Sequence, residues 1–253
     1  MLSRQQCDFY HEQGYLILRD FFPLPLLVEA AEEANALLQR QDLITVNNLR
    51  CRWQVNVRTG VREFETFDPV IDLSPLCAQI AANNRLRAVL AALYGEEACL
   101  FKDKLIFKPP GAKGYGLHQD WIAWPGFPRS FLTVLVPFDQ ADRDNGCTQV
   151  FPGYHKAGSL SPEDGQYHEL SAELIEQRRG VYLELDRGDI AIFSGFTPHR
   201  SDPNHSSRWR RQLFLSYNKL SDGGQQREQH YQEFHRWLRA KYDETDRKNL
   251  YFR

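Results

Sequence analysis

The spacing of apolar residues divides this chain into a first part with mostly helical periodicity and a second part with mostly strand periodicity. Up to about residue 97, apolar side chains recur near every third or fourth position, which predicts amphipathic helices joined by short strands. From residue 98 onwards, short runs of branched and aromatic residues are bounded by turn residues, which is typical of strands. The pattern therefore predicts a β-rich core supported by a helical segment.

Capping residues, glycines and prolines indicate where the elements of the first part begin and end. Ser3 can cap a short helix over residues 4–12, and Gly14 can end it. Pro25 opens a longer helix over roughly residues 25–41. The other elements predicted here are a strand over 14–22, two short strands within 48–66, and helices over about 73–82 and 84–93. We interpret these helices as a packing layer for a sheet.

The second part predicts many short strands. They are ACLFKDKLIFKPP from residue 98, SFLTVLVPF at 130–138, VYLELDRGDIAIF from residue 181 as two strands around an Asp-Arg-Gly turn, and RRQLFLSYN from residue 210. Asn145-Gly146 indicates a turn, residues 169–179 predict a short helix, and a final helix over about 224–241 carries Phe234 and Trp237. Many strands with turn signals favour a sandwich or jelly roll. We expect one domain over 1–253, comprising a mostly helical supporting part (1–97), a jelly-roll core (98–220) and a C-terminal helix (221–253).

Composition excludes several classes of protein. The net charge is −2, and RWRR at 208–211 is the one notable basic cluster, so no nucleic-acid partner is predicted. The sequence contains no apolar run of ~18 residues and no signal-peptide core, which argues against a membrane partner. Five scattered cysteines without C-x-x-C spacing predict neither disulfides nor a zinc knuckle and fit a reducing cytoplasm. Nothing in the sequence specifies an oligomeric state.

The triplet His118-Gln119-Asp120 and the distant His199 carry candidate metal chemistry. Residues two apart in a strand point to one face, so His118 and Asp120 can reach one ion while Gln119 points away. Two histidines and one carboxylate leave three octahedral positions open, which suits non-haem Fe(II). The centre stays positive and attracts an anionic cosubstrate. Because the chain has eight histidines, chance gives roughly half an H-x-D, and the triplet alone is not specific.

The residues around His199 make the metal hypothesis more specific. His199 is followed by Ser201 and Asn204, and Arg210 lies eleven residues beyond it. This spacing, with FKPPG before the triplet, NGCTQVFPGYHK after it and RGDIAIFSGFTPHRSDPN ahead of the arginine, resembles the phytanoyl-CoA dioxygenase-like family of Fe(II)/2-oxoglutarate oxygenases. The resemblance extends from about residue 100 to residue 218. It implies a mainly β fold with α-helices, in which a double-stranded β-helix (a cupin-like jelly roll) is flanked by N-terminal and C-terminal helices.

The same resemblance implies roles for individual residues. It implies that His118, Asp120 and His199 bind Fe(II). It also implies that Arg210 pairs with the C5 carboxylate of 2-oxoglutarate, aided by the Ser201 hydroxyl. An arginine suits this role because its planar fork forms two bonds to a carboxylate. The implied reaction uses O2 as a second cosubstrate, hydroxylates an unactivated C–H bond, and releases succinate and CO2.

Four further positions refine this expectation. Lys104 aligns with a position that often touches 2-oxoglutarate, whereas Lys108 looks structural. Several family members carry a tryptophan where this chain has Leu135, which would leave room in the pocket. Halogenating relatives have lost the carboxylate that Asp120 retains, so hydroxylation is favoured, with desaturation and ring formation as alternatives.

Neighbouring residues supply rivals to the predicted ligands. His205 is the closest rival to His199, but it lacks the H-x-S-x-x-N context. The strand period of two places Arg208 on the same face as Arg210 and places Arg211 on the opposite face. The family spacing selects Arg210.

The loop WIAWPGFPRSF after the triplet predicts substrate contacts. Trp121, Trp124 and Arg129 are expected near the pocket mouth, although a simply packed loop is an equal alternative. We expect a compact charged small molecule such as an amino acid or an aminoalkylphosphonate, with a lipid-like or natural-product substrate as the alternative. Two other classes remain, a zinc-dependent cupin-like hydrolase and a non-catalytic metal or ligand sensor.

Overall fold

Two antiparallel sheets, one of seven strands and one of four, form the framework of the computed structural model, which describes residues 2–242. The helices are α1 (Arg4–Gln13), α2 (Leu24–Leu38), α3 (Pro75–Ala81), α4 (Asn84–Tyr94) and α5 (Arg227–Lys241). The strands are β1 (Tyr15–Leu18), β2 (Cys51–Val55), β3 (Arg62–Phe67), β4 (Ala98–Lys108), β5 (Tyr115–His118), β6 (Leu132–Pro137), β7 (Thr148–Val150), β8 (Val181–Tyr182), β9 (Ile190–Ser194), β10 (His199–Ser201) and β11 (Arg210–Lys219). The larger sheet has the order β1-β9-β6-β11-β4-β3-β2, and the smaller has the order β5-β10-β7-β8.

Local signals set the ends of α1 as the sequence predicts. The Ser3 hydroxyl accepts a hydrogen bond from the backbone N–H of Gln6 (3.2 Å), and the Gln6 side chain accepts one from the backbone of Ser3 (2.9 Å). This reciprocal capping box satisfies two of the free N–H groups at the helix start. Gly14 then adopts φ 79°, a left-handed conformation that favours glycine, and the helix ends there.

The core has two layers, one on each face of the larger sheet. Outward-facing strand residues such as Leu105 and Leu213 pack against helix residues such as Leu27 and Leu90 in one buried cluster. Inward-facing residues of the larger sheet form a second cluster with the smaller sheet, composed of Ile106, Leu135, Ala141, Cys147, Val150, Leu183, Leu185, Ala191, Phe193 and Phe214. Two facing antiparallel sheets with helices on the outside are the predicted jelly-roll arrangement.

Two sequence predictions need correction, and the sheet placement of two predicted strands becomes clear. Residues 169–179 form no α-helix but two 3₁₀ turns (Ala172–Leu174 and Gln177–Arg179), because only Leu170 and Ile175 are buried there and no helical apolar stripe continues. The two predicted strands around Asp-Arg-Gly are present as β8 and β9, with β8 in the smaller sheet and β9 in the larger. The last helix begins at Arg227 rather than near residue 224, because Gly223 and Gly224 have φ values of 96° and 65°.

The first 97 residues contribute strands to the larger sheet as well as the predicted helices. The strands β1, β2 and β3 all join the larger sheet, with β1 at one edge and β2 at the other. The N-terminal part therefore completes the sheet as well as covering it. None of the helices within residues 2–242 combines the length and the apolar composition needed to cross a bilayer.

Candidate metal centre and adjoining cavities

His118 and His199 face each other across the smaller sheet. They are direct partners in the antiparallel pairing of β5 with β10, and their ring centroids are 4.2 Å apart. His118 Nδ1 lies 2.8 Å from the Gly116 carbonyl oxygen, and His199 Nδ1 lies 3.0 Å from the Thr197 carbonyl oxygen. A carbonyl can only accept, so each Nδ1 carries the proton and each Nε2 keeps its lone pair for a metal.

Asp120 reaches the histidines by a different path from the one the sequence predicts. The strand β5 ends at His118, so Asp120 lies in the bend that follows and the same-strand argument is wrong in its geometry. Gln119 does point away, and its amide donates to the carbonyl oxygens of Gly158 (2.9 Å) and Phe196 (2.6 Å). This anchored bend places Asp120 Oδ1 3.7 Å from His118 Nε2 and 3.6 Å from His199 Nε2.

The larger sheet supplies a support for Asp120 that the sequence analysis missed. Thr133 on β6 donates its hydroxyl hydrogen to Asp120 Oδ2 (2.9 Å), and the Thr133 hydroxyl also contacts that of Ser216 on β11 (3.2 Å). Because Oδ2 is occupied, Oδ1 is the oxygen turned towards the histidines. The one available signal was a threonine in the otherwise apolar run LTVLVP.

The donor set fits a metal ion. One ligand atom from each of His118, Asp120 and His199 lies within 4.8 Å of the other two. Burial lowers the pKa of His118 to about 3, aided by the neighbouring His199, and burial also lowers the pKa of His199. Burial alone would raise the pKa of Asp120, but the two histidines and Lys104 lower it to about 2. Neutral imidazoles and an ionised carboxylate are the forms that bind metal.

Arg210 is a buried cation whose charge is not neutralised by a bonded acid. Its side chain is 1% exposed, and its Nε and Nη1 atoms have no hydrogen-bond partner among residues 2–242. Burial lowers its pKa, because the charged form is poorly solvated. Arg210 lines a small cavity of about 30 Å³ together with Asp120, His199 and Ser201. A buried guanidinium with unpaired nitrogen atoms is unfavourable unless a ligand supplies an anion, and a carboxylate is an anion that its planar fork can bind through two bonds.

Lys108 is fully buried and organises the loops beside Arg210. Its Nζ donates to the Gly146 carbonyl oxygen (3.1 Å), to the Ser201 hydroxyl (3.1 Å) and to the Asp202 carbonyl oxygen. The Ser201 oxygen therefore accepts from Lys108 and keeps its own hydrogen for a ligand. Asn204 fixes the same loop by donating to the carbonyl oxygens of Lys108 (3.0 Å) and Arg208 (2.7 Å).

Of the two other positions considered for the cosubstrate pocket, Lys104 lines a cavity and Leu135 does not. Lys104 lines both the small cavity and a larger one, and its Nζ lies 5.0 Å from the centroid of the Phe214 ring. Leu135 is fully buried and belongs to the cluster between the sheets, so it lines neither cavity. The absence of a tryptophan at this position thus leaves no added room, because packed apolar side chains fill the space.

The larger cavity, of about 190 Å³, opens from the metal ligands His118 and Asp120. Four cationic residues line it, namely Arg52, Lys102, Lys104 and Lys241. Its aromatic wall contains Trp124, Phe127, Phe131, Tyr167, Phe234 and Trp237. Within residues 2–242, Asp120 is the one carboxylate that lines it. The lining is therefore rich in cationic and aromatic side chains.

Of the three predicted substrate contacts, Trp124 alone lines this cavity, where its ring meets that of Trp237 at 5.6 Å. Trp121 is buried in a separate aromatic cluster with Phe101 and Phe131. The guanidinium carbon of Arg129 lies 4.8 Å from the centroid of the Trp121 ring, and Arg129 lines neither cavity. The loop therefore divides its side chains between the cavity and the core.

Comparison with known proteins places this geometry in context. A family model described as Phytanoyl-CoA dioxygenase (PhyH) matches residues 10–212. The 2-aminoethylphosphonate dioxygenase of the uncultured bacterium HF130_AEPn_1 is 32% identical over 223 residues, covering 87% of this chain and 83% of the relative. The methylphosphonate hydroxylase of Gimesia maris is 28% identical over 225 residues, covering 88% of this chain and 83% of the relative.

A solved structure confirms the predicted fold. EctD from S. alaskensis, crystallised with 2-oxoglutarate and 5-hydroxyectoine, superposes with a TM-score of 0.74 at 23% identity. The superposition covers 88% of this chain and 80% of that protein. At this identity the likeness shows the fold, which is the double-stranded β-helix that the sequence predicts.

Proposed function

This chain belongs to the phytanoyl-CoA dioxygenase family, and we propose that it is an Fe(II)- and 2-oxoglutarate-dependent dioxygenase that hydroxylates a compact charged metabolite. The observation that carries the proposal is the buried Arg210 guanidinium beside the three candidate metal ligands. A zinc hydrolase on the same fold gives this arginine no role. A cosubstrate with a carboxylate at one end and a metal-chelating group at the other explains both features at once.

His118, Asp120 and His199 would hold Fe(II) through two Nε2 atoms and Oδ1. The backbone carbonyls of Gly116 and Thr197 keep both imidazoles in the metal-binding tautomer. Three protein ligands leave three octahedral positions for the cosubstrate and for O2. When bound, iron supplies the oxygen activation that side chains cannot provide.

Arg210 and Ser201 would hold the distal carboxylate of 2-oxoglutarate. One edge of the Arg210 guanidinium offers two donors and the Ser201 hydroxyl offers a third, so the carboxylate would supply the negative charge that this buried cation lacks. Lys108 donates a hydrogen bond to the Ser201 hydroxyl and so holds it in place. The acid is therefore held in a fixed orientation in the small cavity, close to Asp120 and His199.

The larger cavity favours a small anionic substrate over a lipid-like one. Four cationic side chains line it, and a compact anion can pair with such a side chain, whereas a long apolar acyl chain cannot. The relatives named above act on 2-aminoethylphosphonate and methylphosphonate, both compact anions. We therefore propose an aminoalkylphosphonate as the leading substrate class. Trp124 and Tyr167 offer aromatic faces to its amino group.

A substrate screen with succinate as the readout tests this function. The protein with Fe(II), 2-oxoglutarate and O2 should release succinate in step with 2-aminoethylphosphonate or a close homologue, and the product should gain one oxygen atom. An Asp120→Ala variant provides the inactive control, because it lacks one metal ligand. Stimulation by long-chain acyl compounds alone would contradict the substrate class, and no succinate under any condition would contradict the reaction.

A further inference from the structure

The segment over residues 160–170 forms part of the wall of the larger cavity and is fastened to the chain on either side of the first metal ligand. The Gln119 side-chain oxygen accepts a hydrogen bond from the Leu160 backbone N–H (2.7 Å). At the other end, the Leu170 backbone N–H donates to the Leu117 carbonyl oxygen (2.7 Å). The position of this segment is therefore tied to the position of the metal site.

A compact turn inside the 160–170 segment faces the cavity. The Asp164 carboxylate accepts a hydrogen bond from the Gln166 backbone N–H (2.9 Å) and lies 2.9 Å from His168 Nε2. Gly165 adopts φ 76°, a left-handed conformation that favours glycine. The residues that line the larger cavity from this turn are Gly165, Gln166 and Tyr167. The turn therefore fixes the place of the Tyr167 side chain.

Tyr167 lies against a metal ligand, and its hydroxyl is unpaired. Its ring centroid is 5.3 Å from that of His118, and the two planes make an angle of 57°. The Tyr167 hydroxyl forms no hydrogen bond with any of residues 2–242. In the same cavity, by contrast, Tyr115 donates its hydroxyl hydrogen to Glu65 (2.6 Å). Tyrosine hydroxyls away from bulk water usually have a partner, so the Tyr167 hydroxyl is left for a ligand.

The surroundings of Tyr167 make its hydroxyl a donor. Asp120 directs its oxygens elsewhere, since Oδ2 accepts from Thr133 and Oδ1 faces the two histidines. Burial raises the pKa of the Tyr167 hydroxyl, and the carboxylates of Glu169 and Asp120 raise it further. The hydroxyl therefore stays protonated at neutral pH and can donate a charge-assisted hydrogen bond to an anion.

The geometry of a phenol suits the orientation of a substrate. The lysines of the cavity carry point charges on flexible stems, which attract an anion without fixing its direction. The Tyr167 hydroxyl stands on a rigid ring that is held beside His118. A substrate in the larger cavity shares this space with the hydroxyl and with the metal ligands His118 and Asp120.

We propose that the Tyr167 hydroxyl donates a hydrogen bond to an anionic oxygen of the substrate and so orients the substrate beside the metal. This inference rests on the proposed function, since it assigns a substrate contact in a dioxygenase cavity. It gives the ring and the hydroxyl separate roles. The ring packs against His118 and offers its face to an amino group, whereas the hydroxyl recognises the anion.

Anaerobic calorimetric titration with 2-aminoethylphosphonate and with methylphosphonate tests the inference, using protein loaded with Fe(II) and 2-oxoglutarate. Tyr167→Phe removes the hydroxyl and keeps the ring. It should weaken the binding of both phosphonates about 10- to 100-fold, because each loses a hydrogen bond to a charged group. The affinity for 2-oxoglutarate should stay within about threefold of wild type. The ligand-free Tm should stay within about 2 °C, because the hydroxyl has no protein partner to lose.

Tyr154→Phe is the matched control. The Tyr154 hydroxyl accepts a hydrogen bond from the Glu176 backbone N–H (2.7 Å), and this tyrosine lines neither cavity. The same chemical change at Tyr154 should therefore lower the ligand-free Tm and leave the affinity for both phosphonates at the wild-type value.

Four results would overturn the inference. The first is a change below threefold for both phosphonates in Tyr167→Phe, and the second is an equal loss of 2-oxoglutarate affinity. The third is weaker binding of 2-aminoethylphosphonate alone, since the hydroxyl would then serve the amino group. The fourth is a fall in ligand-free Tm as large as that of Tyr154→Phe, which would reveal a protein partner. If wild-type protein binds 2-oxoglutarate but neither phosphonate, the proposed substrate class fails together with this contact, so the two failures are distinguishable.

Discussion

Replacing Arg210 with methionine should abolish cosubstrate binding without destabilising the ligand-free protein. The guanidinium is 1% exposed and two of its nitrogen atoms have no partner among the described residues, so the ligand-free fold contains a poorly compensated buried charge. An apolar side chain of similar length removes that charge. Loss of one partner of a buried charge pair costs about 2–5 kcal/mol, which corresponds to a roughly 30- to 5,000-fold loss of 2-oxoglutarate affinity.

Thermal unfolding of the Fe(II)-loaded protein under anaerobic conditions measures both effects. At a 2-oxoglutarate concentration of 100 times Kd, wild type should gain about 2.7 kcal/mol, or about 5–10 °C in Tm for a chain of this size. Arg210→Met should show no such gain, and its ligand-free Tm should equal or exceed that of wild type.

The adjacent arginine offers a matched control. Arg211 faces the other side of β11, where it forms two bonds with Asp139 at 2.7 Å each and one with the Ala31 carbonyl oxygen at 2.7 Å. Arg211→Met should therefore lower the ligand-free Tm and preserve the full response to 2-oxoglutarate. The reasoning is refuted if Arg210→Met loses stability as Arg211→Met does and still responds to the cosubstrate.

Three further predictions concern the metal centre and the core. Thr133→Val removes the donor to Asp120 Oδ2 at nearly constant volume, so Fe(II) affinity measured by chelator competition should fall about 10- to 100-fold; an unchanged affinity would exclude this support. Burial lowers the pKa of His118 and His230 to about 3, so between about pH 6.5 and 3 the unfolded chain binds more protons. Denaturant titrations of the metal-free protein should therefore show that the free energy of unfolding decreases as the pH is lowered, by up to about 1.4 kcal/mol per pH unit for each histidine. Equal stability at pH 7 and pH 5 would contradict this. Leu135→Trp should overpack the fully buried cluster and lower the free energy of unfolding by about 1–3 kcal/mol, whereas an undiminished Tm would show that the site has room.

Sequence reasoning succeeds where a local signal determines the structure. Ser3 and Gly14 delimit the first helix because capping and left-handed backbone are properties of a few neighbouring residues. The spacing from His199 to Ser201 and Arg210 brings these three residues to one small cavity for a similar reason. A short strand, a fixed loop and the start of the next strand set these distances locally.

Long-range pairing explains what the sequence could not place. Arg52 reaches the larger cavity because β2 pairs with β3 and β3 pairs with β4, and no spacing along the chain encodes this. Trp237 lines the same cavity because the last helix packs over it. Trp121 and Trp124 lie three residues apart in one loop, but one enters the core and the other the cavity. The lysines of KDKLIFK were a readable signal of a polar inner face, since a charged side chain on an inward strand face needs polar or charged partners.

Anaerobic titration of the metal-free protein with Fe(II) and 2-oxoglutarate, followed by visible absorption, tests the central claim most directly. We predict a charge-transfer band from the chelated cosubstrate in wild type, a weakened band in Arg210→Met and no band in Asp120→Ala. Arg211→Met should show the wild-type band. The absence of any band in wild-type protein that retains zinc tightly would contradict the account, because the His118, Asp120 and His199 site would then serve a different metal and a different reaction.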